Sequence, residues 1–128
     1  MATKHRIFIS FAVEDASYRD LLKGQAKNKA SPFDFVDMSV KEPWDENWKT
    51  NCRTKIKGCD GMIVLISKDT PKATGALWEV KCAKEEKIPV LGIYVSANDK
   101  PAILPTELSG IKVVDWTWDN IKRFLDSL

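Results

Sequence analysis

Histidine, cysteine and long apolar runs are all scarce in this chain of 128 residues. The one histidine, His5, leaves little room for histidine-based catalysis or for most zinc sites. The three cysteines, an odd number without a close pair, predict no disulfide framework and favour a reducing, cytoplasmic setting. Apolar runs reach only about six residues, which is too short to span a bilayer. We therefore expect no metal site and no membrane segment.

An excess of charge of one sign is also missing. The chain has 20 Lys and Arg against 18 Asp and Glu, so its net charge is +2. Such a balance provides no overall field for nucleic acid or an anionic membrane, and we expect neither as a partner. The N-terminus lacks the apolar stretch of a signal peptide. Length and composition predict one soluble domain over residues 1–128.

What the sequence does contain is a regular alternation of apolar strands and amphipathic helices. The predicted strands span residues 6–11, 33–36, 62–66, 90–95 and 111–114. The predicted helices span 16–27, a segment from Asp45 to about Cys59, 75–87 and 118–128, with Asp15, Asp45 and Thr74 as N-caps. Five repeats of this kind predict an α/β, flavodoxin-like three-layer fold with a parallel sheet and helices on both faces. The more polar second and fifth strands belong at the edges, which gives the order 2-1-3-4-5.

Ligands of such sheets bind where the strand order reverses, here between strands one and three. The loop after strand one, Ser-Phe-Ala-Val-Glu-Asp, has no glycine, so a flavodoxin-type phosphate loop is not expected. A response-regulator receiver needs an Asp at the end of strand three and a Lys after strand five, where this chain has Ser67 and Asp115. Glycine-rich dinucleotide and P-loop motifs are absent as well. His5 precedes strand one and so lies at the opposite edge of the sheet.

The start of the third helix holds the most informative carboxylate. Ala76, Val80 and Ala83 form its core-facing stripe, and Glu79 lies roughly 80–100° from the centre of that stripe. This position is near the positive end of the helix dipole. Two interpretations stay open: an acid that only complements the dipole, or a carboxylate that belongs to a site. Trp78 beside it is either a packing residue or the wall of a pocket.

Three segments carry a resemblance to a known family: residues 5–11, residues 33–39 and, longest, residues 55–94. The last includes a strand followed by Thr70, then the adjacent pair Trp78-Glu79 and Ala83. Together they resemble TIR domains, and more closely the bacterial TIR-like domains that include the ThsB proteins of the Thoeris anti-phage system. In the wider TIR family the glutamate follows its tryptophan by a few residues. The adjacent pair agrees better with the TIR-like group.

The resemblance implies an enzyme that takes NAD as its substrate, without a further cofactor, and cleaves the bond between nicotinamide and ribose. The product would be ADP-ribose, a cyclic isomer or a conjugate that signals to a separate effector protein. Glu79 matches the catalytic glutamate. The residues expected to line the pocket are Ser10, Phe11 and Ala12 after strand one, Asp37 and Ser39 after strand two, and Trp78; Trp44 and Trp48 either pack or shape its mouth.

Two alternatives remain beside NAD cleavage. Many TIR domains associate with one another without catalysis, so the chain could be a protein–protein assembly module. It could also be a nucleotide- or deoxyribosyl-transferring enzyme of similar shape, which would use a glutamate on nucleosides instead of NAD.

Overall fold

All five predicted strands are present and run parallel in one sheet. The computed structural model describes residues 5–28, 34–38 and 42–128. In chain order the strands are β1 (Arg6–Ser10), β2 (Asp34–Val36), β3 (Gly61–Ile66), β4 (Val90–Tyr94) and β5 (Lys112–Asp115). Their order across the sheet is β2-β1-β3-β4-β5, which confirms the prediction. The order reverses between β1 and β3, so a ligand site is expected at the carboxyl ends of these two strands.

Helices cover both faces of this sheet. The α-helices are α1 (Ala16–Asn28), α2 (Glu46–Lys57), α3 (Thr74–Glu85) and α4 (Trp118–Asp126), joined by short 3₁₀ turns at Val13–Asp15, Thr70–Lys72 and Thr106–Leu108. No helix in the described ranges is long and apolar enough to cross a bilayer.

The sheet separates two apolar clusters, which make the predicted three layers. On one face Ile9 and Ile63 pack with residues of α1 and α4. On the other face Phe8 and Val64 pack with residues of α2 and α3. All six residues of β3 are buried because the strand is covered on both faces. The five-residue run Met62–Ile66 therefore occupies the centre of the sheet, as its continuous apolarity predicted.

The predicted helix caps have mixed outcomes. Asp45 is confirmed as the N-cap of α2, since its carboxylate accepts hydrogen bonds from the backbone N–H groups of Asn47 and Trp48. The prediction for Thr74 is wrong, because α3 already includes Thr74 and its N-cap is Ala73, which makes no side-chain cap bond. The preceding 3₁₀ turn runs directly into the helix through a bond from the Ala73 N–H to the Thr70 carbonyl.

The other end of α3 also differs from the prediction. The helix ends at Glu85 and not at Lys87, because Lys87 adopts a left-handed backbone conformation with φ of 59°. The Ile88 N–H then bonds to the Ala83 carbonyl, which closes the helix in the way a glycine usually does. The other strand ends differ from the predicted ones by no more than one residue, the usual uncertainty of element boundaries, and Phe33, predicted to begin the second strand, lies outside the described residues.

Candidate functional site

A cleft of about 260 Å³ opens at the carboxyl end of β1, where the strand order reverses. Its walls come from the loop after β1, from the segment before α2 and from the start of α3: Phe11, Ala12, Val13, Glu14, Pro43, Trp44, Lys72, Ala73, Thr74, Gly75 and Ala76. These are the loops that the parallel topology selects as the ligand-binding edge. The cleft is thus formed by segments from three different parts of the chain.

Glu79 lies beneath this cleft and has no solvent exposure. The helix that carries it approaches the sheet closely because Ala76 and Ala83 are small and Val80 is fully buried. Sequence periodicity placed Glu79 at the boundary of the core stripe. In the structure that boundary is covered, because α2 packs beside α3. A buried carboxylate needs hydrogen-bond partners, and Glu79 has them on two sides.

Ser10 is the first partner of Glu79. Its hydroxyl Oγ lies 2.8 Å from Glu79 Oε1 and 3.1 Å from the carbonyl oxygen of Ala76. A hydroxyl has one proton, so Ser10 donates to one of these two acceptors at a time. Since Ala76 lines the cleft, this serine links the buried carboxylate to the cleft wall.

Cys52 is the second partner. Its Sγ lies 3.8 Å from Glu79 Oε2, within the range of a hydrogen bond to sulfur. The thiol comes from the buried face of α2 and has no solvent exposure. No local sequence pattern links Cys52 to a glutamate 27 positions away.

The pocket residues predicted after β1 all lie at this site. Phe11 and Ala12 line the cleft, while Ser10 lies between them and Glu79. The guanidinium of Arg19 lies 5.0 Å above the Phe11 ring, on the side of α1. These positions stay predictions as contacts to a ligand, but they share one location in the fold.

Asp37, predicted from the loop after strand two, is directed toward α1. Its carboxylate lies 3.3 Å from Arg19 Nη1 and 3.5 Å from Lys23 Nζ, and its side chain is mostly buried. It is not among the residues that line the cleft. Ser39, predicted from the same loop, lies outside the described residues.

The two tryptophans predicted near the glutamate pack against each other. The rings of Trp48 and Trp78 have centroids 5.3 Å apart with planes inclined by 57°, the tilted arrangement that aromatic pairs favour. Trp48 is buried in the core between the sheet and α2. Trp78 faces a separate, shallow cavity of about 350 Å³ on the outer surface of α2. Neither ring lines the cleft above Glu79.

The cavity beside Trp78 is lined by cations, but its central arginine is already paired. Arg53 forms salt bridges of 2.9 Å to Glu85 and 2.5 Å to Glu86. These hydrogen bonds raise the pKa of Arg53, and the bond from Arg53 lowers the pKa of Glu85. The cluster is therefore a charge-compensated contact between α2 and α3.

A second buried carboxylate lies at the same edge of the sheet, and sequence analysis assigned it wrongly. Asp15 was predicted to cap α1. Instead it belongs to a 3₁₀ turn, is 3% exposed, and accepts a 2.5 Å hydrogen bond from Ser67 Oγ. Burial raises the pKa of Asp15, and the nearby Asp69, Asp99 and Glu14 charges act in the same direction.

The partner of Asp15 is held in place by its own neighbours. Ser67 Oγ also accepts a hydrogen bond from the Asp69 N–H, and the Ser67 N–H donates to Thr70 Oγ1. Thr70, named above for the resemblance, thus holds the loop after β3. The Asp15–Ser67 pair ties this loop to the one after β1, on the other side of the cleft wall.

Metal-binding arrangements are absent from the described part of the chain. No group of three or more His, Cys, Asp or Glu side chains there is placed to hold an ion. The three cysteines are buried and unbridged. Burial raises the pKa of Cys59 and of Cys82 to about 11, so both remain protonated thiols at neutral pH.

Comparison with known protein families now adds to this geometry. The family model described as "Thoeris protein ThsB, TIR-like domain" matches residues 8–100. That match covers more than half of the chain. The chain belongs to the ThsB TIR-like family. The matched segment includes Ser10, Cys52 and Glu79, together with every residue that lines the cleft.

A solved structure agrees with this family in its fold. The crystal structure of the TIR domain of the Toll-related receptor TRR-2 from Hydra magnipapillata superposes with a TM-score of 0.72 at 19% sequence identity. The superposition covers 96% of this chain and 99% of the Hydra domain. At this identity the similarity establishes the TIR fold alone. A search of curated proteins gives no match.

The residues that carry the family resemblance have distinct structural roles in this TIR-like domain. Thr70 fixes the loop after β3, Trp78 packs between α2 and α3, and Ala83 lets α3 approach the sheet. Glu79 is the member of this set that reaches the interior below the cleft. Three residues of the motif, Thr70, Trp78 and Ala83, therefore have structural roles, and the fourth, Glu79, is a buried carboxylate.

Proposed function

We propose that this TIR-like domain cleaves the bond between nicotinamide and ribose in NAD, with Glu79 as the catalytic residue. The observation that carries this proposal is a fully buried carboxylate hydrogen-bonded to Ser10, whose neighbour Phe11 and contact Ala76 line a cleft at the switch point of a parallel sheet. Carboxylates held in such positions are typical of functional sites, because their burial is costly unless it serves a purpose. The proposal also agrees with the family to which the chain belongs.

The chemistry needs little more than one well-placed carboxylate. Nicotinamide in NAD is cationic and leaves readily, so no strong general acid is required. Its departure gives the ribose an oxocarbenium-like character, as in glycoside hydrolysis. A carboxylate near the ribose hydroxyls would offset this developing positive charge. Water as the nucleophile gives ADP-ribose, whereas attack by an atom of the same molecule gives a cyclic product if the cleft excludes water.

The cleft suits part of a dinucleotide. At about 260 Å³ it is slightly smaller than the pockets of roughly 300–1,000 Å³ that hold drug-sized ligands, so it would hold the nicotinamide–ribose half and not the whole dinucleotide. Ala12 and Ala76 keep the walls next to Ser10 short. Trp44 lies at the rim and is 76% exposed, so one face of its indole is open to stack on a flat ring.

Glu79 must turn toward the cleft before it touches the substrate, since it has no exposed surface in the ligand-free chain. Such a turn is compatible with catalysis, because catalytic contacts are often formed only in the substrate complex. The product would act as a signal for a separate effector protein. The buried, unbridged thiols fit a cytoplasmic location for this reaction.

Nicotinamide release from NAD by the wild type and by Glu79→Gln tests the proposal. The amide removes the negative charge but keeps the size, so we expect release to fall at least about 100-fold, as for loss of a charge-stabilising group. Glu85→Gln on the same helix is the matched control, because Glu85 is a surface residue paired with Arg53, and it should keep the wild-type rate. Equal rates for Glu79→Gln and wild type, with both folded, would reject the assignment.

The second candidate function is a non-catalytic assembly module. It is favoured by apolar side chains that are strongly exposed, namely Val13 at 53%, Trp44 at 76% and Ile103 at 82%. The two functions are separable by measuring NAD turnover at high protein concentration, with and without a crowding agent. Self-association without any turnover under either condition would favour the assembly module.

A further inference from the structure

The two oxygens of the Glu79 carboxylate contact different donors, Oε1 the hydroxyl of Ser10 and Oε2 the thiol of Cys52. Ser10 is on the side of the cleft, because its neighbour Phe11 and its contact Ala76 both line that cleft. Cys52 is on the side of the core, because it comes from the buried face of α2 and clusters with Met62 and other core residues. The segment α2 contributes no residue to the cleft. The two donors therefore mark an inner and an outer side of one carboxylate.

This arrangement has a consequence for access. With Oε2 beside the Cys52 thiol, Glu79 has no surface that a molecule in the cleft could touch. If the carboxylate moves toward the cleft, its distance to the Cys52 thiol increases. Its distance to Ser10 stays short, because Ser10 is on the side of the cleft. The serine hydroxyl has a second acceptor in the Ala76 carbonyl, so it stays satisfied whether or not it donates to Glu79.

We propose that Cys52 is a positioning residue, a core-side restraint that holds Glu79 in its resting orientation away from the cleft. Substrate binding exchanges the thiol contact of Glu79 for contacts to the ribose, while Ser10 remains within reach. This inference rests on the proposed NAD cleavage. A thiol suits such a restraint because it is a weak donor at a long distance, so the contact is easily broken.

Two substitutions of Cys52 should change the rate of nicotinamide release in opposite directions. Cys52→Ala removes the donor, frees Glu79 to turn outward, and should raise nicotinamide release about two- to fivefold, in line with the modest net strength of one hydrogen bond. Cys52→Ser supplies a stronger hydroxyl donor and should lower release by a similar factor. Structural damage at this position lowers activity in both variants and does not produce opposite signs.

Cys59 offers a matched control. It is also a buried cysteine, but its Sγ lies 3.2 Å from the Lys55 carbonyl and does not contact Glu79. Cys59→Ala and Cys59→Ser should both leave nicotinamide release within about twofold of wild type, as expected for a change remote from the site. The restraint is rejected if Cys52→Ala and Cys52→Ser both lower the rate or both leave it unchanged.

An infrared measurement tests the contact without any catalysis. The S–H stretching band of Cys52, assigned by its loss in Cys52→Ser, should shift to higher frequency in Glu79→Gln, because an amide oxygen is a weaker acceptor than a carboxylate. The band of Cys59, whose thiol contacts the Lys55 carbonyl, should stay in place. An unchanged Cys52 band overturns the inference, whatever the activity. If the wild-type protein releases no nicotinamide, the proposed function is overturned instead. The position of the Cys52 band then tests only whether the thiol donates a hydrogen bond to Glu79.

Discussion

Two buried carboxylates lie at the same edge of the sheet, and they are built into the protein in different ways. Glu79 is 0% exposed and Asp15 is 3% exposed, and each accepts a hydrogen bond from a serine at the end of a neighbouring strand. The serine partner of Asp15 is itself fixed by loop backbone and by Thr70. Glu79 contacts side chains of β1 and α2, and its contact on β1, Ser10, precedes the cleft residue Phe11.

The difference shows that burial of a carboxylate does not by itself mark a catalytic group. Asp15 ties two loops together and stabilises the wall of the cleft. Glu79 contacts a hydroxyl on β1 and a thiol on α2, and both contacts are readily exchanged. Substitutions at the two positions separate a structural carboxylate from a catalytic one.

The largest expected contrast is in activity. Asp15→Asn keeps an oxygen acceptor for the Ser67 hydroxyl, so nicotinamide release should remain within about threefold of wild type. The loss of at least about 100-fold expected for Glu79→Gln should not be reproduced at Asp15. Initial rates of nicotinamide release from saturating NAD provide the measurement. A comparable loss in Asp15→Asn would mean that the two carboxylates act together in the reaction.

The next largest effect is on stability. Ser67→Ala leaves the buried Asp15 carboxylate and the Asp69 N–H without their hydroxyl partner, which should lower the free energy of unfolding by about 1–3 kcal/mol. Ser109→Ala, on an exposed turn, should stay within about 0.5 kcal/mol of wild type. Urea unfolding followed by circular dichroism measures both. Equal midpoints for the two variants would show that the Asp15–Ser67 pair contributes nothing to the fold.

A smaller effect is expected in the pH dependence of the free energy of unfolding. Burial raises the pKa of Asp15 above its ordinary value of 3.8, so the folded chain binds a proton there more tightly than the unfolded chain does. The contribution of Asp15 to the free energy of unfolding therefore falls as pH rises from about 3.8 through the raised folded value, and it is lowest above that value.

Asp15→Asn removes this titration. Relative to that variant, wild type should lose stability as pH rises above about 4, until Asp15 is fully ionised in the folded chain. Urea titrations at several pH values give the difference directly. A difference that is constant or of opposite slope would contradict the assignment of a raised pKa to Asp15.

The smallest effect is expected at the rim of the cleft. Trp44→Ala removes an exposed ring, so it should raise the KM for NAD several-fold, at about 0.5–1.5 kcal/mol for one aromatic contact, with little change in kcat or stability. Trp44→Phe keeps a flat ring and should restore most of the affinity. Steady-state kinetics of the two variants measure this. A KM unchanged in Trp44→Ala would place the substrate away from the rim.

Sequence patterns were sufficient for the fold. The apolar run Met62–Ile66 predicted the central strand, and the polar edges predicted the order of the sheet. Local cap signals were less informative. Asp45 caps its helix, but Asp15 bonds to Ser67, 52 residues later, and such a contact leaves no local signal.

The candidate site was only partly predictable. The resemblance selected Glu79, and the position of Glu79 on α3 placed it at the edge of the core stripe. Its complete burial depends on how α2 packs against α3, and periodicity within one helix contains no information on that packing. The same packing brings Cys52 to Glu79 and sets Trp48 against Trp78.

Mass spectrometry of NAD incubated with the wild type and with Glu79→Gln tests the central claim most directly. If Glu79 is the catalytic residue, the wild type releases nicotinamide in equal amount to a product with the mass of ADP-ribose, or of ADP-ribose less one water, and Glu79→Gln forms almost none. Intact NAD in both incubations, at high protein concentration and under crowding, would contradict it.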